Sequence, residues 1–261
     1  MKLSIIIPVF NERLFIRRCL DSIKVHEDDL HDVEIIVIDD GSTDGTDQIL
    51  DEFQDRVGFN IIKHSTNWGV AMTRNHGLSI AQGEYVTFLD ADDELTEDGV
   101  DHLLTGCGCE FNILQFNHWR IEKAGWKDGR YYNAPGMYKI DKLPQKWLLV
   151  WNKVYKKSFL DAHGIQFPEN VSYEEDRIFN IRCLRHNPEI YHAKAAVVMK
   201  HHDNKQSICH RLSREHILTI SSALVRELKE DNHFELDRVI RKSLADIWNS
   251  GIAKKLFGQE S

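Results

Sequence analysis

No run in this sequence approaches the roughly 18 consecutive apolar residues that a membrane-spanning helix needs. The apolar N-terminal stretch Leu3–Phe10 is too short, is followed at once by polar residues and has no small-residue cleavage site. It does not read as a signal peptide, and the expected compartment is the cytoplasm. Cysteine is sparse and odd in number: Cys19, Cys107, Cys109, Cys183 and Cys209. No pair has CxxC spacing, and a chain of 261 residues can build a core without disulfide staples. Reduced structural thiols are the expectation, ahead of a zinc site on Cys107 and Cys109 with nearby histidines. GxGxxG, the GK[ST] of a P-loop, HExxH, H-x-E…CxxC and GxSxG are all absent, so several metalloenzyme, nucleotide-binding and serine hydrolase classes have no motif to stand on. Internal repeats and low-complexity linkers are lacking too. Hydrophobic and charged contents of 42% and 28% exclude disordered and fibrous classes.

Charge is present but unevenly spread around a net of −8. Residues 1–100 hold 8 Lys and Arg against 21 Asp and Glu, residues 101–200 hold 15 against 11, and residues 201–261 hold 10 against 9. An acidic front and a mildly basic remainder imply two surfaces with different partners.

The acidic front alternates short apolar runs with helical spacing. SIIIPV (4–9), VEIIVID (33–39), GFNIIKH (58–64) and EYVTFLD (84–90) read as strands, the first two as strands buried on both faces. Between them Asn11 is expected to cap a helix reaching Val25, Thr43 or Asp44 one reaching Phe53, and Asn67 one stopping at Gly83. This alternation predicts βαβ crossovers and a parallel sheet with helices on both faces. Beyond Thr96 the reading is a helix near 97–104, a strand over 111–121 and hairpin loops over 125–140. A short helix within 142–167, a helix over 173–187, a strand over 195–201 and amphipathic helices over 212–229 and 234–256 follow.

Open parallel sheets bind ligands at the carboxyl ends of their strands, and three polar clusters fall there: Pro8–Glu12, Asp39–Asp44 and Asp90–Asp93. Asp90, Asp92 and Asp93 on one tight loop repel one another unless a cation neutralises them, and hard oxygen ligands suit Mg²⁺ or Mn²⁺. The competing reading is an acidic turn that caps the next helix through Asp93 or Thr96. IDDGSTDGT is too acidic to cradle phosphate directly. A carboxylate at that strand end can instead accept hydrogen bonds from a base or a ribose, and Phe10 can stack on a base. Asp44 reads as a helix cap. The run Glu174–Glu175–Asp176 reads as the first turn of a helix, its acids favoured by the helix dipole.

PVFNE, IDDGSTD, NWGVAMTRNHG and GEYVTFLDADD, in this order over residues 3–95, resemble the family 2 glycosyltransferases, whose nucleotide-binding fold is called GT-A. WNKVYKKSFL and GIQFPENVSYEEDRIF resemble the downstream half of bacterial capsule and cell-wall members, which carries the resemblance to about residue 207. It implies an α/β, Rossmann-like fold: a mostly parallel central sheet, helices on both faces and a C-terminal helical appendage. The implied domain covers 1–207, with a nucleotide-sugar half (1–95) and an acceptor half (96–207), before an extension over 208–261.

The resemblance also implies roles. Pro8, Phe10, Asn11 and Glu12 line the nucleotide pocket, with Phe10 where the family usually has tyrosine. Asp40 recognises the base, usually uracil, with support from Asp39. Gly69, Arg74 and Asn75 close over ribose and diphosphate. Asp90 and Asp92 match the DXD pair: Asp92 coordinates the metal, and Asp90 reaches the ribose or donor sugar beside it. Asp176 stands where the general base is expected, with Glu175 as the other choice of register. Trp151, Asn152 and Lys153 match a W-x-K motif that sits over donor or acceptor, Lys153 on the donor side and Trp151 and Asn152 on the acceptor side; Trp151 as plain core competes with this. His201 or His202 either supplies a metal ligand or is a surface histidine.

The implied reaction is a Mn²⁺- or Mg²⁺-dependent, inverting transfer of a sugar from a nucleoside diphosphate sugar, expected to be a UDP-sugar, to a hydroxyl of a glycan or lipid-linked glycan. Aromatic and basic residues interleaved between Trp119 and Lys157 suit such an acceptor. They also suit nucleic acid, so glycosylation of a modified base in DNA is a second reading, against which the net negative charge weighs. A catalytically silent nucleotide- or carbohydrate-binding module is a third. Lys254, Lys255, Leu256 and Phe257 make a basic amphipathic end, which reads as a packing or dimer face or as a contact with a membrane surface.

Overall fold

In the computed structural model, the residues described are 1–122, 125–127, 135–140, 143, 148–201, 204, 212–229 and 234–250. The four apolar runs of the acidic front form β1 (Leu3–Val9), β2 (Val33–Asp39), β3 (Phe59–Lys63) and β4 (Tyr85–Phe88). They lie side by side in the order β3-β2-β1-β4, all parallel. Uninterrupted apolar runs belong in strands covered on both faces, because successive side chains point to opposite sides. Leu3, Ile5 and Ile7 of β1 accordingly enter one core with Val33, Ile35 and Val37 of β2, while Ile6, Ile36 and Ile38 enter the other. Helices α1 (Ile16–Asp21), α2 (Thr46–Asp51) and α4 (Gly99–Cys107) cover the first core, and α3 (Val70–Ile80) packs on the second. At Gly77 of α3 an added Cβ would stand 2.4 Å from Ile6, so this helix approaches β1 as closely as it does only through glycine.

The helix starts differ from the sequence reading. Asn11 caps nothing: its φ is +55°, its side chain accepts the Thr43 N–H at 2.8 Å, and α1 begins only at Ile16. Asp44 holds the start of α2 by accepting the Thr46 N–H at 3.0 Å. The helix expected from Asn67 begins at Val70, because the Trp68 and Gly69 N–H groups are committed to Asp40. Asp98 precedes α4 as its N-cap residue, so neither Asp93 nor Thr96 caps it.

The second half extends the sheet through β5 (Glu94–Leu95), β6 (Ile113–Glu122), β7 (Gly125–Lys127), β8 (Gly136–Tyr138), β9 (Lys153–Lys156) and β10 (Ile190–His201). Beyond β4 the order is β9-β6-β10-β5, with β7 antiparallel on β6 and β8 antiparallel on β10. β9 has no counterpart in the sequence reading, yet it lies inside the sheet, antiparallel to both β4 and β6. β6 and β10 are parallel to each other, so β10 ends at the same edge as β1, β2 and β4, and β9 begins there. Helices α5 (Lys157–Ala162) and α6 (Glu175–Leu184) follow β9. The C-terminal helices α7 (Arg214–Lys229) and α8 (Phe234–Asn249) place Ile217, Ile220, Leu224, Leu236 and Ile240 in the same buried cluster as Ile178 and Phe179 of α6. The basic end Lys254–Phe257 lies outside the described residues. No helix among those described is long and apolar enough to cross a membrane. Cys19, Cys107, Cys109 and Cys183 are free thiols; Cys209 lies outside the described residues.

Candidate active site

The strand order reverses at β1, with β2 and β3 to one side and β4 to the other, which opens a crevice beyond their carboxyl ends. β4 delivers Asp90, Asp92 and Asp93 into it, with one carboxylate oxygen of each within 4.8 Å of the others. Among the described residues no other group of His, Cys, Asp and Glu side chains forms such a set, Cys107 and Cys109 included. Lys200, at the end of β10, places Nζ 2.9 Å from Asp90 Oδ2 and 2.6 Å from Asp93 Oδ2. The remaining oxygens of these two acids accept from Arg74 Nη2 at 2.9 Å and from the His201 N–H at 2.9 Å. Asp92 differs. Its Oδ2 accepts from Asn204 Nδ2 at 3.0 Å, and Oδ1 accepts nothing among the described residues. The same Asn204 nitrogen lies 3.2 Å from each Glu12 oxygen.

Charge balance within the cluster follows from these contacts. Burial alone would raise Asp90, but Lys200 and Arg74 outweigh it and hold its carboxyl near a pKa of about 2. Glu12 is pushed up to about 8 by burial and then by Asp92. Asp93 is pushed up to about 8 by burial, with Asp92 and Asp90 adding to it against Lys200. Among the described residues, these four carboxylates thus share one lysine and half of an arginine. A hard divalent cation fits that excess, and Asp92 is the acid with an oxygen to give it.

A second acidic triplet stands at the head of α6. Glu174 sits at φ +56°, a left-handed conformation that costs a non-glycine residue about 1 kcal/mol or more. Its carboxylate pairs with Arg177 of the same helix. Glu175 pairs with Arg74. Asp176 makes no ion pair among the described residues, and its carboxylate accepts only the Arg177 N–H there, at 2.8 Å. Burial, then Glu175 and Glu174, push its carboxyl up to about 8. Arg74 therefore joins the two triplets: one guanidinium, on a residue only 5% exposed, binds Glu175 through Nη1 and Asp90 through Nη2. The Phe167 ring lies under it at 5.4 Å. Asn75 braces that ring's backbone, accepting the Phe167 N–H at 2.8 Å and donating to its carbonyl at 3.1 Å.

At the β1 and β2 ends, Pro8 is partly buried and Phe10 is exposed. Asp39 accepts the Ser42 N–H at 3.0 Å. Asp40, buried, accepts the N–H groups of Trp68 and Gly69 at 2.9 and 2.8 Å and lies 2.8 Å from His64 Nδ1. The W-x-K residues lie beneath the crevice. Trp151 is buried with its ring 5.5 Å from Lys200 Nζ, and Asn152 donates to the Phe116 carbonyl at 2.8 Å. Lys153 is wholly buried, bonds the Leu149 carbonyl, and is pushed down to about 7 by burial against the opposing pull of Asp176. His201 turns its ring to the Glu94 carboxylate, 2.7 Å away, and does not join the Asp90–Asp92–Asp93 set. His202 lies outside the described residues. The residues that do reach the acids from this segment, Lys200 and Asn204, were missed by sequence reasoning, which attended to the histidines between them. A lone lysine closing an apolar strand run was the available signal.

Residues 4–171 match the family model described as Glycosyl transferase family 2. The chain belongs to glycosyl transferase family 2. Among its relatives in that family is the putative glycosyltransferase EpsH of Bacillus subtilis, 28% identical over 190 residues that cover 69% of this chain and 55% of EpsH. Another is the poly(ribitol-phosphate) β-N-acetylglucosaminyltransferase TarS of Staphylococcus aureus, 26% identical over 70% of this chain and 32% of TarS. The chain thus spans about half the length of EpsH and a third of TarS. The crystal structure of TarS 1–349 in complex with UDP-GlcNAc superposes with a TM-score of 0.81 at 20% identity, over 98% of this chain and 74% of that one. The Pyrobaculum calidifontis mannosyltransferase PcManGT, in complex with GDP-Man and Mn²⁺, gives 0.67 at 14% identity, over 95% and 70%. These likenesses establish the GT-A fold for this family 2 chain.

Proposed function

We propose that this chain transfers a sugar from a nucleoside diphosphate donor, a UDP-sugar, to a hydroxyl of a cell-surface or lipid-linked glycan, with inversion at the anomeric carbon. The observation that carries the reading is Arg74, which ties the head of α6 to the DXD loop: Glu175 stands across one guanidinium from Asp90, and next to it in the chain is Asp176, the acid of that triplet without an ion pair among the described residues. In this reading Asp176 takes the proton of the acceptor hydroxyl while that oxygen bonds to the anomeric carbon and the bond to the diphosphate breaks. A carboxyl whose pKa is raised toward neutrality suits that task. Asp92, with Asp90 beside it, would hold Mn²⁺ or Mg²⁺. Such an ion, when bound, screens the charge of the departing diphosphate. Lys200 and Arg74 set the positions of Asp90 and Asp93 before any ligand arrives, so little reorganisation is needed at the reacting centre.

Phe10, Asp39 and Asp40 belong to the base end of the donor site in this proposal, Glu12 to its metal end, and Gly69 and Asn75 to the frame that holds Asp40 and Phe167. Trp151, Asn152 and Lys153 act from underneath. The UDP-GlcNAc bound to TarS supports a UDP-sugar donor, and the poly(ribitol-phosphate) in the name of TarS supports a polyhydroxyl, anionic acceptor at the cell surface. The Mn²⁺ of PcManGT supports the metal. A place at the cytoplasmic face of the membrane, and a catalytic unit over residues 1–207, belong to the same proposal. The test measures UDP release from a panel of UDP-sugars with lipid-linked and polyol-phosphate acceptors, with and without EDTA. Release that requires both acceptor and metal and disappears in Asp176→Asn supports the proposal; turnover undiminished by EDTA or by Asp176→Asn refutes it.

A further inference from the structure

Two aromatic side chains stand open at the carboxyl edge of the sheet, Phe10 at 44% exposure and Trp68 at 50%. Both are tied to Asp40. The Asp40 N–H donates to the carbonyl of Val9, the residue before Phe10, at 2.7 Å, and the Asp40 carboxylate accepts the N–H of Trp68 at 2.9 Å. An indole half in water has no reason to hold one orientation, yet this one is held. Its ring stacks on the His64 imidazole with centroids 3.8 Å apart and planes 23° apart. His64 is buried and fixed at both nitrogens, Nδ1 lying 2.8 Å from Asp40 and Nε2 2.8 Å from His76 Nδ1. The Gly69 N–H closes the frame on the second Asp40 oxygen at 2.8 Å. One face of Trp68 is therefore backed by a hydrogen-bonded chain of Asp40, His64 and His76, and the ring remains half exposed.

We propose that Trp68 is a specificity residue of the donor site, stacking its uncovered face on the nucleotide base, with His64 as the positioning residue that holds the indole in place. The inference rests on the donor reading above and adds to it a residue to which that reading assigns no role, although Trp68 lies within the motif that supplies Gly69, Arg74 and Asn75. The chemistry selects a base over a sugar ring. A flat, rigid indole suits a planar heterocycle, and the buried carboxylate next to it, with three N–H neighbours for about four lone-pair positions, can still accept one N–H from the edge of such a ring. Pre-orienting the indole also removes the cost of ordering it when the nucleotide binds.

Calorimetric titration of UDP, UMP and inorganic pyrophosphate into the wild type, Trp68→Ala and Trp68→Phe tests this. Because Trp68 is half exposed, neither substitution opens a cavity. Removing one stacked aromatic costs about 1–3 kcal/mol per base, so Trp68→Ala should weaken UDP and UMP alike by about tenfold and leave pyrophosphate unchanged. Trp68→Phe should stay within about threefold of the wild type but lose the part of the fluorescence quenching that UMP causes at this tryptophan. The inference is overturned if the wild type binds UDP and Trp68→Ala binds it equally, or if pyrophosphate weakens in proportion, which would mark a structural role. A wild type that binds no nucleotide would instead bring down the donor reading, and this inference with it.

Discussion

Two triplets of acids lie at the two ends of one arginine, and they are neutralised differently. At the end of β4, Lys200 bridges Asp90 and Asp93, so the compensating charge is pooled and the remaining negative charge belongs to the cluster as a whole. At the head of α6, Arg177 takes Glu174 and Arg74 takes Glu175, so among the described residues Asp176 is the acid of the three left without an ion pair. Equal numbers of carboxylates thus give different chemistry. Both arrangements raise the proton affinity of a carboxyl, Asp93 and Asp176 each to about 8, but the pooled one also sets oxygens of three acids close enough together to share a cation. In the proposed reaction it is the placement of the basic partners, more than the count of acids, that separates the metal-holding triplet from the one that supplies the base.

The largest test of that contrast is Asp176→Asn. General base catalysis contributes about 10²–10⁴, so kcat should fall by that factor while UDP affinity holds. The wild-type profile should carry the same signature. In the proposed reaction the base works unprotonated, and its carboxyl is raised to about 8, so kcat/KM should climb with pH, reach half its maximum near 8 and level off above that. The stability effect has the matching sign. An acid raised above its unfolded value favours the native state fully below about pH 4 and loses that contribution as pH rises through about 8. Asp176→Asn should flatten the melting-temperature profile between about pH 4 and pH 8. A rate limb near pH 4, or a variant with intact kcat, breaks the comparison.

Arg74→Met attacks what the triplets share. It leaves Glu175 and Asp90 without their buried partner, and breaking one half of a buried pair costs about 3–5 kcal/mol. Denaturant titration should show that loss. A cost under 1 kcal/mol would mean that water reaches both acids and that the two triplets are electrostatically independent.

Asn204→Ala acts on one triplet alone. Its amide spans Glu12 and Asp92, and removing such a supporting group typically weakens metal binding by about 10–100-fold. Mn²⁺ titration followed by electron paramagnetic resonance reads this without any turnover, and the pH midpoint assigned to Asp176 should not move. Movement of that midpoint would show that charge at the β4 end reaches the base.

Much of the first triplet was legible in sequence, since Asp90, Asp92 and Asp93 follow one apolar strand and share a single loop. The parallel half of the fold was legible for the same reason: β1, β2 and β4 are mostly apolar runs, and their burial on both faces is nearly continuous. β9 was not, because KVYK is short and carries a lysine that the fold buries completely, against every expectation for that residue type. The neutralising partners were hidden for a different cause. Lys200, Arg74 and Asn204 meet their acids across separate strands and helices, and no local spacing encodes those meetings. Trp68 read as part of a helix approach, and its stacking on His64 depends on how Asp40 gathers both.

The smallest effect belongs to the tie between the second triplet and the C-terminal helices. Arg177 Nη1 donates to Ser243 Oγ of α8 at 3.2 Å, and Ser243 is buried. Ser243→Ala removes one hydrogen bond while Arg177 keeps Glu174, so stability should drop by about 1 kcal/mol, roughly 2–4 °C in melting temperature for a chain of this size. If the triplet is fixed by its own arginines, kcat should change by less than about twofold and the pH midpoint near 8 should stay. A tenfold fall in kcat with a displaced midpoint would show instead that α8 positions the base. The contrast between a pooled and a confined deficit would then depend on α8 as well as on the sheet and α6.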